Sequence, residues 1–256
     1  MTKHARRIVL GILIAAVASP APSRAQTAAP EPIEIPLRVD DGQLLVTAVS
    51  PDGGEHDLVL GLGPTLFTES GAARLGDALA SLTLGGVPVE TEGYQTVPDA
   101  YLAGSDAVGV LGGNTLNGFD VLIDAPSGRL VLKPIGRAVR WDGVALSSPV
   151  TIQVFHDLLL RADVDFGGSV VGGLLDLTRP ELQVGDALAD AGTDGRVASF
   201  RMGYGGWRDL PAAVVDSPVF GRWDAQERFV VVGSSIALDC ALAISWYHAE
   251  VRTCLR

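Results

Sequence analysis

The chain can be read twice, and that doubling constrains its fold more than any other feature. In the first block Leu44–Val49 reads as a strand, Pro51-Asp52-Gly53-Gly54 as a hairpin turn and Leu58-Val59-Leu60 as the return strand, ending at Gly61-Leu62-Gly63-Pro64. In the second, Leu158–Phe166 reads as a strand, Gly167-Gly168 as the turn and Val170–Leu175 as the return, ending at Asp176-Leu177-Thr178-Arg179. Each block then crosses a glycine-punctuated middle, Leu82–Val89 and Phe200–Trp207. Each next reaches an apolar run closed by glycine, Val108–Gly113 and Val230–Ser234. Gly112 and Gly233 stand 121 residues apart, as do Phe119 and Cys240, so the blocks keep register from those glycines onward, matching Val121 with Leu242 and Ile123 with Ile244. The order predicts two similar lobes, residues 37–135 and 143–256, joined by a linker at 136–142.

Composition supports a β reading of both lobes. Glycine occupies 31 of 256 positions, roughly 12% against a usual ~7%, and short Val/Leu runs outnumber long Ala/Glu/Lys stretches. With 47% hydrophobic residues the chain can bury a sizeable core, which excludes a disordered or collagen-like polymer. The 30 acids against 19 bases leave a net charge of −11 and no basic stripe, which argues against nucleic acid and anionic membranes as partners.

The N-terminus carries Lys3, Arg6 and Arg7, an apolar run from Ile8 to Ala18, and Ser23-Arg24-Ala25 ahead of Gln26. This is the pattern of a secretory signal peptide over residues 1–25, and Arg6-Arg7 hints at twin-arginine export. An uncleaved anchor is the alternative, but the apolar run is short of the ~20 residues a span needs. Residues 26–36 read as a flexible leader. The expected location is periplasmic or secreted, with no membrane span after cleavage.

Export makes Cys240 and Cys254 a disulfide candidate. Ala241–Ser245 and Glu250–Leu255 read as antiparallel strands around a turn at Trp246–Ala249, a register that sets Cys240 almost opposite Cys254. His56, His156 and His248 are scattered without ligand spacing, so neither a metal nor another cofactor is expected.

A strand ending in a corner, a hairpin, an apolar run closed by glycine, a short helix and a closing strand pair together resemble one lobe of the aspartic protease superfamily. The likeness is to retropepsin-like domains fused in tandem, as in pepsins. It is strongest over Val108–Leu116, Phe119–Asp124 and Gly128–Leu132, and Thr68–Gly76 is similar to the segment that follows the family's catalytic corner. The resemblance implies a mostly β, bilobal double-psi barrel fold with short helices and a cleft between two corners.

In that family the corner reads Asp-Thr/Ser-Gly, and this chain departs from it twice: Gly61-Leu62-Gly63 in the first lobe, Asp176-Leu177-Thr178 in the second. Aspartic proteolysis needs two carboxylates sharing one proton, one acting as base on water and the other as acid toward the substrate carbonyl. Gly61 can do neither. Leu62 and Leu177 replace both hydroxyls that would bond across the lobe interface, so apolar contact substitutes for a polar pair without stranding either partner.

Asp176 is the candidate catalytic residue, and the competing reading is that it fixes its own turn. Tyr94 is a candidate flap aromatic of the cleft. Trp141, Trp207, Trp223 and Trp246 read as core or interface packing. The expected function is an exported, catalytically degenerate protein that binds an extended polypeptide. Two rivals are an active aspartyl endopeptidase, using Asp176 with a second carboxylate or with a homodimer partner, and a ligand-free structural protein of the envelope.

Overall fold

The computed structural model describes residues 31–102, 104–136, 141–154, 159–185, 188, 195–215 and 228–255. The expected signal segment, residues 26–30 of the leader, linker positions 137–140, His156 and Trp223 lie outside them. The chain is mostly β, with few short helices, and forms two lobes, one a half-barrel and one a closed six-stranded barrel.

The chain opens with β1 (Ile33–Pro36), β2 (Arg38–Asp40), β3 (Gln43–Val49) and β4 (Glu55–Leu60). There follow β5 (Leu66–Thr68), helix α1 (Glu69–Leu75), β6 (Thr83–Leu84), β7 (Val87–Pro88), β8 (Gln95–Val97) and β9 (Gly109–Leu111). Strands β3-β4-β9-β5-β8 are neighbours in that order, with β4–β9 and β5–β8 parallel. β3 is buried along most of its length and β4 over its last three residues, as the Leu/Val runs anticipate. β6 and β7 continue the sheet beyond β3, and the pairings end at β7 on one side and β8 on the other, which leaves the barrel open. β7 is only two residues long, and Pro88 has no N–H to donate across the gap.

The second lobe repeats this wiring with β13 (Leu160–Phe166), β14 (Ser169–Leu175), β15 (Leu182–Val184), β16 (Arg196–Met202), β17 (Gly205–Val214) and β18 (Phe229–Val232). β14–β18 and β15–β17 are the parallel pairs, equivalent to β4–β9 and β5–β8. Here the hairpin is long: β17 has ten residues, and β16 reaches back to β13 through Asp165–Arg201 and Phe166–Phe200, closing the barrel. β13 shows the burial alternation of a strand with one face inward.

The remaining strands are β10 (Phe119–Asp124), β11 (Arg129–Pro134), β12 (Val150–Val154), β19 (Leu242–Ser245) and β20 (Glu250–Thr253), and with β1 they form one antiparallel run, β1-β11-β10-β19-β20-β12. Three strands come from each lobe. At its centre Leu122 faces Ala243, flanked by Val121–Ile244 and Ile123–Leu242. Since 121 residues separate Leu122 from Ala243, two equivalent positions face each other there, so a pseudo-twofold axis passes between β10 and β19. The sheet's outer face carries Leu122, Val131, Ala241 and Ala243, covered by Trp141, Val144 and Leu146 as the chain passes between lobes. The far end of the expected linker is thus packed, with Trp141 under the Lys133 ammonium at 4.7 Å.

One expectation is corrected. Residues 33–36, assigned to the flexible leader, are strand β1, paired with Arg129–Leu132 of β11. Ile33 and Ile35 alternate with polar neighbours and pack over Gly85 of the β6–β7 turn, which secures the segment. The expected disulfide is present: Cys240 and Cys254 are bonded, with Cα atoms 5.4 Å apart, at the end of the β19–β20 hairpin in the predicted register.

Candidate functional site

Each lobe's corner begins where a parallel strand pair ends. The N–H of Gly61 donates to Leu111 O at 2.9 Å, and the N–H of Asp176 donates to Val232 O at 3.0 Å. Gly61 and Asp176 are therefore structurally equivalent, as the repeat predicts. From there the lobes diverge, because Leu66 pairs with Val110 whereas Gln183 pairs with the equivalent Val231, so the second corner is two residues longer. Gly112 and Gly233 back the two corners, and a Cβ at either would collide with corner backbone. That contact, rather than turn geometry, requires glycine at both sites.

The two corners meet. A Cβ on Gly61 would stand 3.2 Å from Thr178 Cγ2 of the other lobe and 2.5 Å from Val110 Cγ1. Gln43 Nε2 donates to Thr178 O at 3.5 Å, and its counterpart in the second lobe, Leu159, brings Cδ2 to 3.2 Å from where a Cβ of Gly63 would lie. Ser234 Oγ adds a bond to Gly42 O at 2.6 Å, fastening the β2–β3 turn to the second lobe. Leu62 and Leu177 are fully buried members of one apolar cluster that runs through both lobes.

Asp176 is half-buried, and its Oδ1 accepts from the Thr178 N–H at 3.1 Å and from the Thr178 hydroxyl at 2.7 Å. This is the side-chain-to-backbone closure of a tight turn. The Thr178 methyl of this turn meets the place where a Gly61 Cβ would lie, and the first-lobe corner, Gly61-Leu62-Gly63-Pro64, contains no acid.

The aromatic at this junction is Tyr101, which the sequence reading passed over. It lies on a single 3-10 turn, Asp99–Leu102, pinned to the first lobe by fully buried Leu102 and by Asp99, which accepts from the Ser70 N–H at 3.0 Å. From there its ring stacks on the Arg179 guanidinium of the second lobe, 5.2 Å from the centroid. Burial pushes the Tyr101 phenol up, the negative charge of Asp176 adds to the rise, and the Thr178 hydroxyl and Arg179 oppose it. Tyr94, the expected flap aromatic, sits in the turn between β7 and β8 and packs edge-on against Phe67 at 5.4 Å, within its own lobe. Only the Pro98-Asp99 start of a turn could have drawn attention to Tyr101, since its cross-lobe partner Arg179 is distant in sequence.

Among the described residues no group of three or more His, Cys, Asp or Glu side chains is placed to hold a metal ion, and no helix is long and apolar enough to cross a membrane. No family model and no curated protein matches the chain. The corner holds one carboxylate, already bonded to the Thr178 N–H and hydroxyl, and beside it the stacked Tyr101 and Arg179.

Proposed function

We propose that this is an exported protein of aspartic-protease-like architecture that has lost peptidase chemistry and retains the ability to hold an extended polypeptide between its lobes. The observation that carries the reading is the Gly61–Thr178 contact, which fills with backbone and methyl groups the place where a second carboxylate would have to stand. A homodimer that pairs two Asp176 residues meets the same obstacle, because the first lobe already occupies that side of the corner. Polypeptide capture needs backbone edges rather than a dyad. The half-barrel provides one at β8, which ends its sheet. The Cys240–Cys254 bond fits residence in an oxidising compartment.

The test is a pair of assays on the purified mature protein. It is expected to leave unfolded casein uncut between pH 3 and 6 while binding a fluorescently labelled, denatured casein. Pepstatin-sensitive cleavage that disappears in Asp176→Asn would replace this reading with an active endopeptidase. Absence of both cleavage and binding would favour the ligand-free structural reading, which Tyr101 at the junction also suits.

A further inference from the structure

The Tyr101 ring packs on the first-lobe cluster of Leu45, Val59 and Val110 and also reaches Arg179 of the second lobe. Its ring lies 5.2 Å from the guanidinium of Arg179, the last residue of the second corner, so one first-lobe side chain holds the end of that corner. Arg179 makes no other described side-chain hydrogen bond or ion pair, in a chain where acids outnumber bases 30 to 19. The stacking on Tyr101 is what holds this guanidinium at the junction. The turn that carries Tyr101 directly follows β8, the open strand edge, with only Pro98 between them.

We infer that Tyr101 is a built-in occupant of the inter-lobe junction, a clasp that a bound polypeptide must displace from Arg179. The inference rests on the polypeptide-binding reading and adds its regulation. A binding-competent state populated only in part weakens apparent affinity by that fraction, so removing the occupant tightens binding without any new contact. A stacked cation sets the size of the effect at about three- to tenfold.

The experiment compares wild type with Tyr101→Ala, Tyr101→Phe and Arg179→Met for binding of labelled denatured casein, with thermal melts to confirm folding. Tyr101→Ala is expected to bind about three- to tenfold tighter, and Tyr101→Phe, which keeps the ring, to bind close to wild type. Arg179→Met frees the same clasp from the other side, and carries the test if Tyr101→Ala does not fold. A second readout is spectrophotometric titration of the tyrosines. The Tyr101 phenol, pushed up by burial in the wild-type protein, is expected to be missing from the titration of Tyr101→Ala. Equal or weaker binding by folded Tyr101→Ala and Arg179→Met overturns the clasp and leaves polypeptide binding standing, whereas no binding by any of the proteins removes both.

Discussion

Gly61 is held as glycine by the side chains around it. Restoring an acid there by Gly61→Asp places a Cβ 2.5 Å from Val110 Cγ1 and 3.2 Å from Thr178 Cγ2. Overpacking of that kind costs about 1–3 kcal/mol, and the new carboxylate must also be desolvated. The single variant is expected to unfold at lower urea than wild type and to remain inactive on casein, while adding Val110→Ala and Thr178→Gly recovers part of the loss. A Gly61→Asp protein as stable as wild type would show that the corner yields more easily than its contacts indicate. For Asp176 a pair of variants separates turn-fixing from catalysis. Asp176→Asn keeps an acceptor for the Thr178 N–H and hydroxyl, whereas Asp176→Ala removes it and strands both donors. The alanine variant is expected to lose about 1–3 kcal/mol, and the asparagine variant clearly less, in chemical denaturation. Equal losses would mean that the carboxylate charge, not the turn, is what the fold uses.

At the scale of strands and hairpins, much of the architecture was legible because it repeats. The offset of 121 residues, read from two glycines, places equivalent residues opposite each other at the centre of the shared sheet, and the β19–β20 register located the disulfide. β1 was not legible: four residues of alternating pattern carry too little signal, and their partner β11 lies almost a hundred residues away. The C-terminal hairpin gives a measurable consequence. Reduction or a Cys240→Ser/Cys254→Ser double variant reopens a 15-residue loop, for which chain entropy predicts about 3 kcal/mol of lost stability. Unchanged denaturation midpoints under reducing conditions would contradict it. A pH effect belongs to β2, β3 and β4. There burial pushes the Asp57 carboxyl up, but hydrogen bonds from Arg38 and Thr47 outweigh it and hold the group below its usual value. A carboxyl depressed in the folded state adds stability above its unfolded value, and that contribution disappears as pH falls through the folded one. Arg38→Met is therefore expected to destabilise the protein at pH 7 and hardly at all near pH 2, with a small effect because the pair is solvent-facing. An equal loss at both pH values would point to packing rather than charge.

For the whole molecule, the sequence disclosed the two lobes but not how they are fused, because fusion depends on contacts that no local pattern encodes. The lobes share a sheet in which β10 and β19 are each other's neighbours, so neither half completes its own edge. They also share a core: Leu62 and Leu177 belong to one cluster with residues from both barrels, and Trp246 of the second lobe packs beside Gly113 of the first. The passage between lobes is docked as well, with Trp141 seated over the central Leu122–Ala243 pair. Two domains joined only by a linker would unfold separately, as chains of this length often do. Here separation exposes a strand edge and apolar surface on both halves at once, so loss of either lobe removes stabilising contacts from the other. Calorimetry is expected to show one transition whose van't Hoff and calorimetric enthalpies agree. A lysine at the central position, Leu122→Lys, is expected to lower the temperature of that single transition rather than split it. Two resolved transitions in the wild-type protein, or a half-chain ending at residue 136 that folds as a monomer with wild-type-like stability, would show that the shared sheet joins two independent domains instead of building one cooperative unit.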